Sequence, residues 1–197
     1  MKSTYGKLLA LPLLIVSFSF AGTSFAQDTT TPTTPSSTQM KSGDMSSMIS
    51  ESEIAEILKT ANDAEIDAAK AAKSRASSSQ VKDFAKHMET EHESNNKEAK
   101  SVLKKADIKM KSNEMAKTLK KDSKEQLSQL KKKKGADFDS AYIENQISMH
   151  QQLLSDLEQK FIPSAKNPEF KSFLEKTKTH VQQHLSKAQE VQQSMTK

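Results

Sequence analysis

Four segments of this chain carry apolar residues spaced four and three apart, and one titratable residue interrupts each stripe near its middle. The first reads Ile54, Leu58, Ala61, Glu65, Ala68, Ala72, and the second Val81, Ala85, Met88, His92, Asn95, Ala99, Val102, Ala106. The third reads Ile143, Ile147, His150, Leu154, Leu157, Phe161, and the fourth Phe170, Leu174, Thr177, Val181, His184, Ala188, Val191. A seven-residue repeat of this kind is the seam of a helix bundle, because 3.6 residues per turn bring those positions back to one face. Burying an unpaired polar group costs several kcal/mol, so a Glu and three His on such seams are expected to be buried together.

The rest of the chain agrees with helix. It has only 4 Gly and 5 Pro, no Trp, and no alternating β-branched run closed by Asn-Gly or Asp-Gly. Ala, Lys, Glu, Gln, Leu and Ser favour helix. The expected fold class is all-α. Helix 1 is expected from an N-cap at Ser52 to about Ala76, and helix 2 from a cap at Ser79 to about Ala106. A third helix begins near Ser112, carries Met115, Leu119, Leu127 and Leu130, and ends in the lysines before Gly135. Asp137 is expected to cap a fourth helix from Phe138 to about Phe161, broken by Pro163. Asn167 and Pro168 start the fifth.

The N-terminus reads as a processing signal. Lys2 and Lys7 precede or flank an apolar run from Leu8 to Ala21, followed by the small-x-small pattern Ser24-Phe25-Ala26. That run is too short for a comfortable membrane span, and no other stretch approaches about 18 apolar residues. Cleavage is expected after Ala26, giving a signal peptide at 1–26, a soluble exported protein without a transmembrane span, and a bacterial periplasmic location. The chain has 0 Cys, which removes disulfides, thiolate metal sites and a lipid-anchoring cysteine. Residues 27–50 are Thr, Ser, Pro and Gln with few bulky apolar residues, a composition expected to form a disordered tether. Residues 51–197 then make one domain.

Helix 3 has a thin stripe and reads as a covering or crossover element between bundle helices two and three. It returns the chain about 30 Å at 1.5 Å per residue. Helices 1, 2, 4 and 5 form the bundle. Counted from the end where helices 1 and 2 join, Glu65, His92, His150 and His184 lie about 16, 20, 18 and 16 Å down, nearly one layer.

The segment Ser79-Gln80-Val81-Lys82-Asp83-Phe84-Ala85 leading to Glu91-His92, then Phe138-Asp139-Ser140-Ala141-Tyr142 leading to His150, then His184-Leu185, resembles the bacterial family known as domain of unknown function 4142. The resemblance runs from Ser52 to about Val191. It implies a ferritin-like four-helix bundle in the cell envelope, and no established activity. A non-enzymatic part in stress tolerance or envelope maintenance is what that family type suggests.

Ferritin-like di-iron sites need bridging carboxylates, one Glu from each of two helices and a Glu-x-x-His from each of the others. Glu89-x-x-His92 supplies one such pair, but Ile147 and Val181 stand three residues before His150 and His184. A di-iron centre is therefore not expected. Glu65, His92, His150 and His184 can instead hold a single Zn²⁺ or Cu²⁺, with Glu89, Glu91 and His180 as possible additional ligands. The alternative is a hydrogen-bonded polar layer that sets bundle register without metal. A metal-dependent redox or hydrolytic enzyme at the same layer is a third reading, and the sequence contains no Gly-rich phosphate loop, Ser-His-Asp order or acid pair to support catalysis. His87 falls one position off the seam and reads as solvent-facing. Tyr142 reads as a packing residue, and Met40, Met45 and Met48 in the tether as incidental composition.

Between Lys104 and Lys134 twelve Lys face Asp107, Glu114, Asp122 and Glu125, a local balance of +8 within a chain of formal charge +5. Such a face suits an anionic envelope surface, such as the outer-membrane surface, or simply keeps the domain soluble. Nucleic acid is not an expected partner, because Arg75 is the sole arginine and aromatics do not interleave the lysines.

Overall fold

The computed structural model of the protein describes residues 49–195. The expected signal peptide, nearly all of the expected tether and its three methionines lie outside the described residues. Within them the elements are α1 (Glu51–Arg75), α2 (Ser79–Lys105), α3 (Glu114–Leu130), α4 (Gly135–Asp156), a π-helical turn (Leu157–Phe161), a last helical turn α5 (Ile162–Ser164) and α6 (Pro168–Met195). No strand occurs among the described residues, so the all-α expectation holds. No helix among them is long and apolar enough to cross a membrane.

Helix ends follow local chemistry, with some tertiary substitutions. α1 starts two residues earlier than the Ser52 cap expected, because Ser50 and Glu53 form a reciprocal capping box. Ile49 packs against the core, so the last two residues assigned to the tether belong to the helix entry. At α2 the N-cap is Ser78, whose side chain makes no cap bond. The carboxylate of Asp139, buried on α4, instead fixes the turn into the helix, accepting from Ser77 N at 3.0 Å and Ser78 N at 2.8 Å. Asp137, the expected cap of α4, has no such role: Lys134 is the N-cap and Gly135 adopts φ +56°, a left-handed conformation natural to glycine. α2 closes in a Schellman motif, with Asp107 at φ +51° and Ile108 N donating to Leu103 O at 3.0 Å. Ile108 and Leu103 then meet in the apolar core, completing that motif.

Pro163 does not end the fourth helix at Phe161. Proline lacks the N–H that an α-turn uses, and the chain slips into the wider π register just before it, with Ile162 N donating to Leu157 O. The helical path then runs on to Ser164. Asn167 caps α6 as expected, its Oδ1 accepting from Phe170 N at 3.0 Å. Glu51 of α1 accepts from the backbone N–H groups of Lys166 and Asn167, tying the two helix starts together.

α1 packs on α2, α4 on α6 and α2 on α6, with a lesser contact between α1 and α4. α3 lies along α1. Lys111 N donates to Ser52 O near the start of α1, and the Arg75 guanidinium at its end bonds Lys131 O. α3 therefore covers α1, and α1 buries Ala55, Ile57, Ile66, Ala69 and Ala71 beside its expected stripe, with Asn62 turned toward α2. The inward stripe of α3 is Ala116, Leu119, Ser123, Leu127 and Leu130; Met115, expected on it, faces solvent. On α4 the buried face is rotated from the expected one. Phe138, Tyr142, Ile143, Gln146 and His150 are buried, while Ile147 and Leu154 are only half-buried.

The apolar interior falls into two separate clusters. One gathers Ile54, Ile57, Leu58, Leu157, Phe161, Phe170, Leu174 and Val181. The other gathers Ala72, Val81, Phe84, Met88, Phe138, Tyr142, Ile143, Ala188 and Val191. In chain order, polar residues of α1, α2, α4 and α6 stand between them.

Candidate metal centre

Glu65, His92, His150 and His184 are 3%, 4%, 2% and 4% exposed, so all four are withdrawn from water. The three imidazoles meet. Ring centroids are 5.8 Å apart for His92 and His150, 5.3 Å for His92 and His184, and 5.3 Å for His150 and His184. One ring nitrogen from each lies within 4.8 Å of one from each of the others. Glu65 stands one residue removed. Its Oε2 accepts from Gln146 Nε2 at 2.6 Å, and the Gln146 backbone carbonyl accepts from His150 Nδ1 at 2.8 Å.

Those hydrogen bonds determine which nitrogens carry lone pairs. A backbone carbonyl can only accept, so His150 Nδ1 donates to it, and the neutral ring carries its lone pair on Nε2. Asn62 Nδ2 donates to Asn95 Oδ1 at 2.8 Å and to Asn96 Oδ1 at 2.9 Å, which orients the Asn62 amide. Its Oδ1 therefore faces His92 Nδ1 at 2.9 Å and accepts from it, leaving His92 Nε2 unprotonated as well. An imidazole held by one N–H with its other nitrogen free is the arrangement found in metal-ligating histidines. Asn95 Nδ2 donates onward to Thr177 Oγ1 at 3.1 Å, so α1, α2 and α6 share one buried chain of polar side chains.

Six buried side-chain atoms among the described residues have no hydrogen-bond partner: Glu65 Oε1, His92 Nε2, Tyr142 OH, Gln146 Oε1, His150 Nε2 and His184 Nδ1. The three His rings touch, Gln146 links Glu65 to His150, and Tyr142 is near enough for the Glu65 charge to act on it. Native interiors rarely leave such atoms unpaired, and here they gather in one place.

Electrostatics point the same way. Burial, followed by the neighbouring His150 and His87, pushes His92 down to about 3. Burial, followed by His92 and His150, pushes His184 down to about 2. Both are neutral at ordinary pH. Burial raises the Glu65 carboxyl, opposed by His150 and by the Gln146 hydrogen bond. The Tyr142 phenol is pushed well above its usual value by burial and then by Glu65. Tyr142 is thus near Glu65 but remains a neutral donor, stacked edge-on against Phe84 at 6.1 Å.

The other sequence candidates lie outside the trio. The Glu89 carboxylate pairs with Lys73 across the α1–α2 seam. Glu91 and His180 are half-buried, and neither joins the three ring nitrogens. His87 is exposed as expected, yet its ring sits 5.7 Å from that of His184, edge-on at 84°. Sequence reasoning missed Asn62 and Gln146. Gln146 stands one turn before His150, where the four-residue step was available as a signal; the rotated face of α4 gives it the inward position expected of Ile147.

The sequence model of domain of unknown function DUF4142 matches residues 33–191. No curated protein matches the chain, and no solved structure does.

Proposed function

The chain belongs to the DUF4142 family, and we propose that it is a metal-binding protein that holds one Zn²⁺ or Cu²⁺ ion on His92, His150 and His184. Glu65 is the fourth ligand, or the acceptor for a water on the ion. The observation that carries this reading is the convergence of three buried imidazoles, each with an unpartnered buried nitrogen. Imidazole with a carboxylate suits Zn²⁺ or Cu²⁺, and a fourth protein ligand closes a tetrahedral Zn²⁺ site. A second ion would need bridging carboxylates, but Glu89 is engaged by Lys73 and the residue beside Glu65 is an amide, Gln146.

The wider setting belongs to the same proposal. The helices form a ferritin-like bundle with α3 as its crossover, and a signal at 1–26 exports the protein to the bacterial envelope. There, with Glu65 completing the ligand set, the site stores or buffers metal and carries out no turnover. All twelve lysines between Lys104 and Lys134 are exposed, which suits contact with an anionic envelope surface.

A second reading has its own support in the bonded chain Asn62, Asn95 and Thr177, which can set bundle register without an ion. Metal content separates the two. Protein purified from its own envelope, without nickel resin, should carry close to one equivalent of Zn or Cu. Apo-protein titrated with Co²⁺ should develop the visible bands of a four-coordinate site at one equivalent. Substoichiometric metal, with no rise in melting temperature on adding Zn²⁺, Cu²⁺ or Co²⁺, would sink the metal reading.

A further inference from the structure

The buried trio has one exposed histidine beside it. His87 on α2 faces solvent while its ring edge meets His184, and His184 in turn touches both His92 and His150. His87 also lines a groove of about 340 Å³ between α2 and α6, together with Asp83, Phe84, Lys187 and Glu190. The α1 side and the two ends of the layer are built differently. The α1 side carries the Asn62–Asn95–Thr177 chain and the Glu65–Gln146 pair. Separate apolar clusters hold the residues before and after the polar positions on each helix.

We infer that the α2–α6 groove is the port through which the divalent ion enters and leaves, with His87 as the transfer ligand that passes it to His184. The inference rests on the metal reading above and adds a kinetic role to a residue outside the binding set. A hydrated dication cannot cross an apolar wall, since stripping its water without replacement is prohibitive. The His87 imidazole that lines the groove replaces water ligands one at a time, and His184 takes over within a ring-to-ring distance of 5.7 Å. Carboxylates of Asp83 and Glu190 in the groove lining attract cations. The Lys187–Glu190 ion pair at 3.4 Å is exposed on both sides and so is weak, leaving the lysine free to swing aside.

A port residue changes rates in both directions and leaves the equilibrium alone. Stopped-flow absorbance with Co²⁺ as the probe, on the full chain, reads uptake; release is read by chasing the loaded protein with EDTA. His87→Gln should bind Co²⁺ with wild-type affinity while uptake and release slow together by about tenfold or more, the scale on which a charged cleft sets on-rates. His87→Lys should slow uptake further, because a cation then guards the port. Both variants change an exposed side chain, and circular dichroism verifies the fold. Wild-type exchange rates in His87→Gln overturn the proposal. So does faster release with weaker affinity, which would make His87 a ligand. A wild-type protein that binds no Co²⁺, Zn²⁺ or Cu²⁺ at equilibrium instead overturns the metal reading itself, before any rate is measured.

Discussion

Replacing His150 with leucine separates a ligand from a structural residue. The imidazole is 2% exposed, makes one hydrogen bond through Nδ1 to Gln146 O at 2.8 Å, and leaves Nε2 without a partner. Losing that neutral bond costs about 1 kcal/mol, while removing a buried unsatisfied nitrogen returns about 1–3 kcal/mol. The Gln146 carbonyl stays paired within the helix. The two effects nearly cancel, so the metal-free variant should unfold within about 2 kcal/mol of wild type. Metal changes the comparison. At a free ion concentration of 100 times Kd, binding stabilises the folded state by about 2.7 kcal/mol. For a domain of this size each kcal/mol moves the midpoint by about 2–4 °C, so wild type should gain about 5–11 °C and His150→Leu nothing. Calorimetry in EDTA and in excess Zn²⁺ measures both arms. A variant that loses more than about 3 kcal/mol in EDTA, beside a wild type indifferent to Zn²⁺ and Cu²⁺, would refute the reasoning and make the layer structural.

Acid should destabilise the metal-free protein in two stages. The unfolded chain protonates His92 and His184 below pH 6.5, whereas burial holds them neutral down to about 3 and about 2, so each lowers stability by about 1.4 kcal/mol per pH unit as pH falls through that window. Glu65 opposes them: its raised carboxyl stabilises the fold fully below pH 4.5, and that contribution is lost as pH rises towards its folded value. Urea midpoints should therefore drop gently from pH 6.5 to 4.5 and steeply below; a steepening above 6.5 contradicts the assignment. Asp139→Ala strips two backbone N–H groups in the turn before α2 of their charged acceptor and should cost about 2–3 kcal/mol, read as a lower urea midpoint at constant slope. Sedimentation with anionic vesicles should occur at low salt and vanish at high salt, and equal binding to neutral vesicles would discount the lysine face. N-terminal sequencing of envelope-fraction protein should begin at Gln27; an intact Met1 would remove the proposed signal.

Much of this architecture was legible because helix periodicity is local. Stripes spaced four and three mark a buried face whatever they pack against, and the α2 stripe from Val81 to Asn95 and the whole α6 stripe are buried as read. Equal rise per residue also made the depth of His92, His150 and His184 calculable before any contact was known. Where the reading slipped, a neighbour intervened. The buried face of α4 rotated by a fraction of a turn, bringing Gln146 inward in place of Ile147. α1 gained a second buried face because α3 lies on it, and Asn62 turns inward because α2 offers it His92, Asn95 and Asn96.

Sequence by itself determined the all-helical class, the order of the helices and the set of histidines on their seams, since each depends on spacing within one segment. Tertiary structure decided which atoms face which. Asn62 and the Gln146 carbonyl orient the rings of His92 and His150, Asp139 fixes the turn that leads into α2, Lys73 withdraws Glu89, and His87 comes to rest against His184. All but the Gln146–His150 bond, which lies within α4, are contacts between helices or with the turn that joins two of them. They depend on rotation and approach that no single helix specifies, and they convert three buried imidazoles into a candidate metal site.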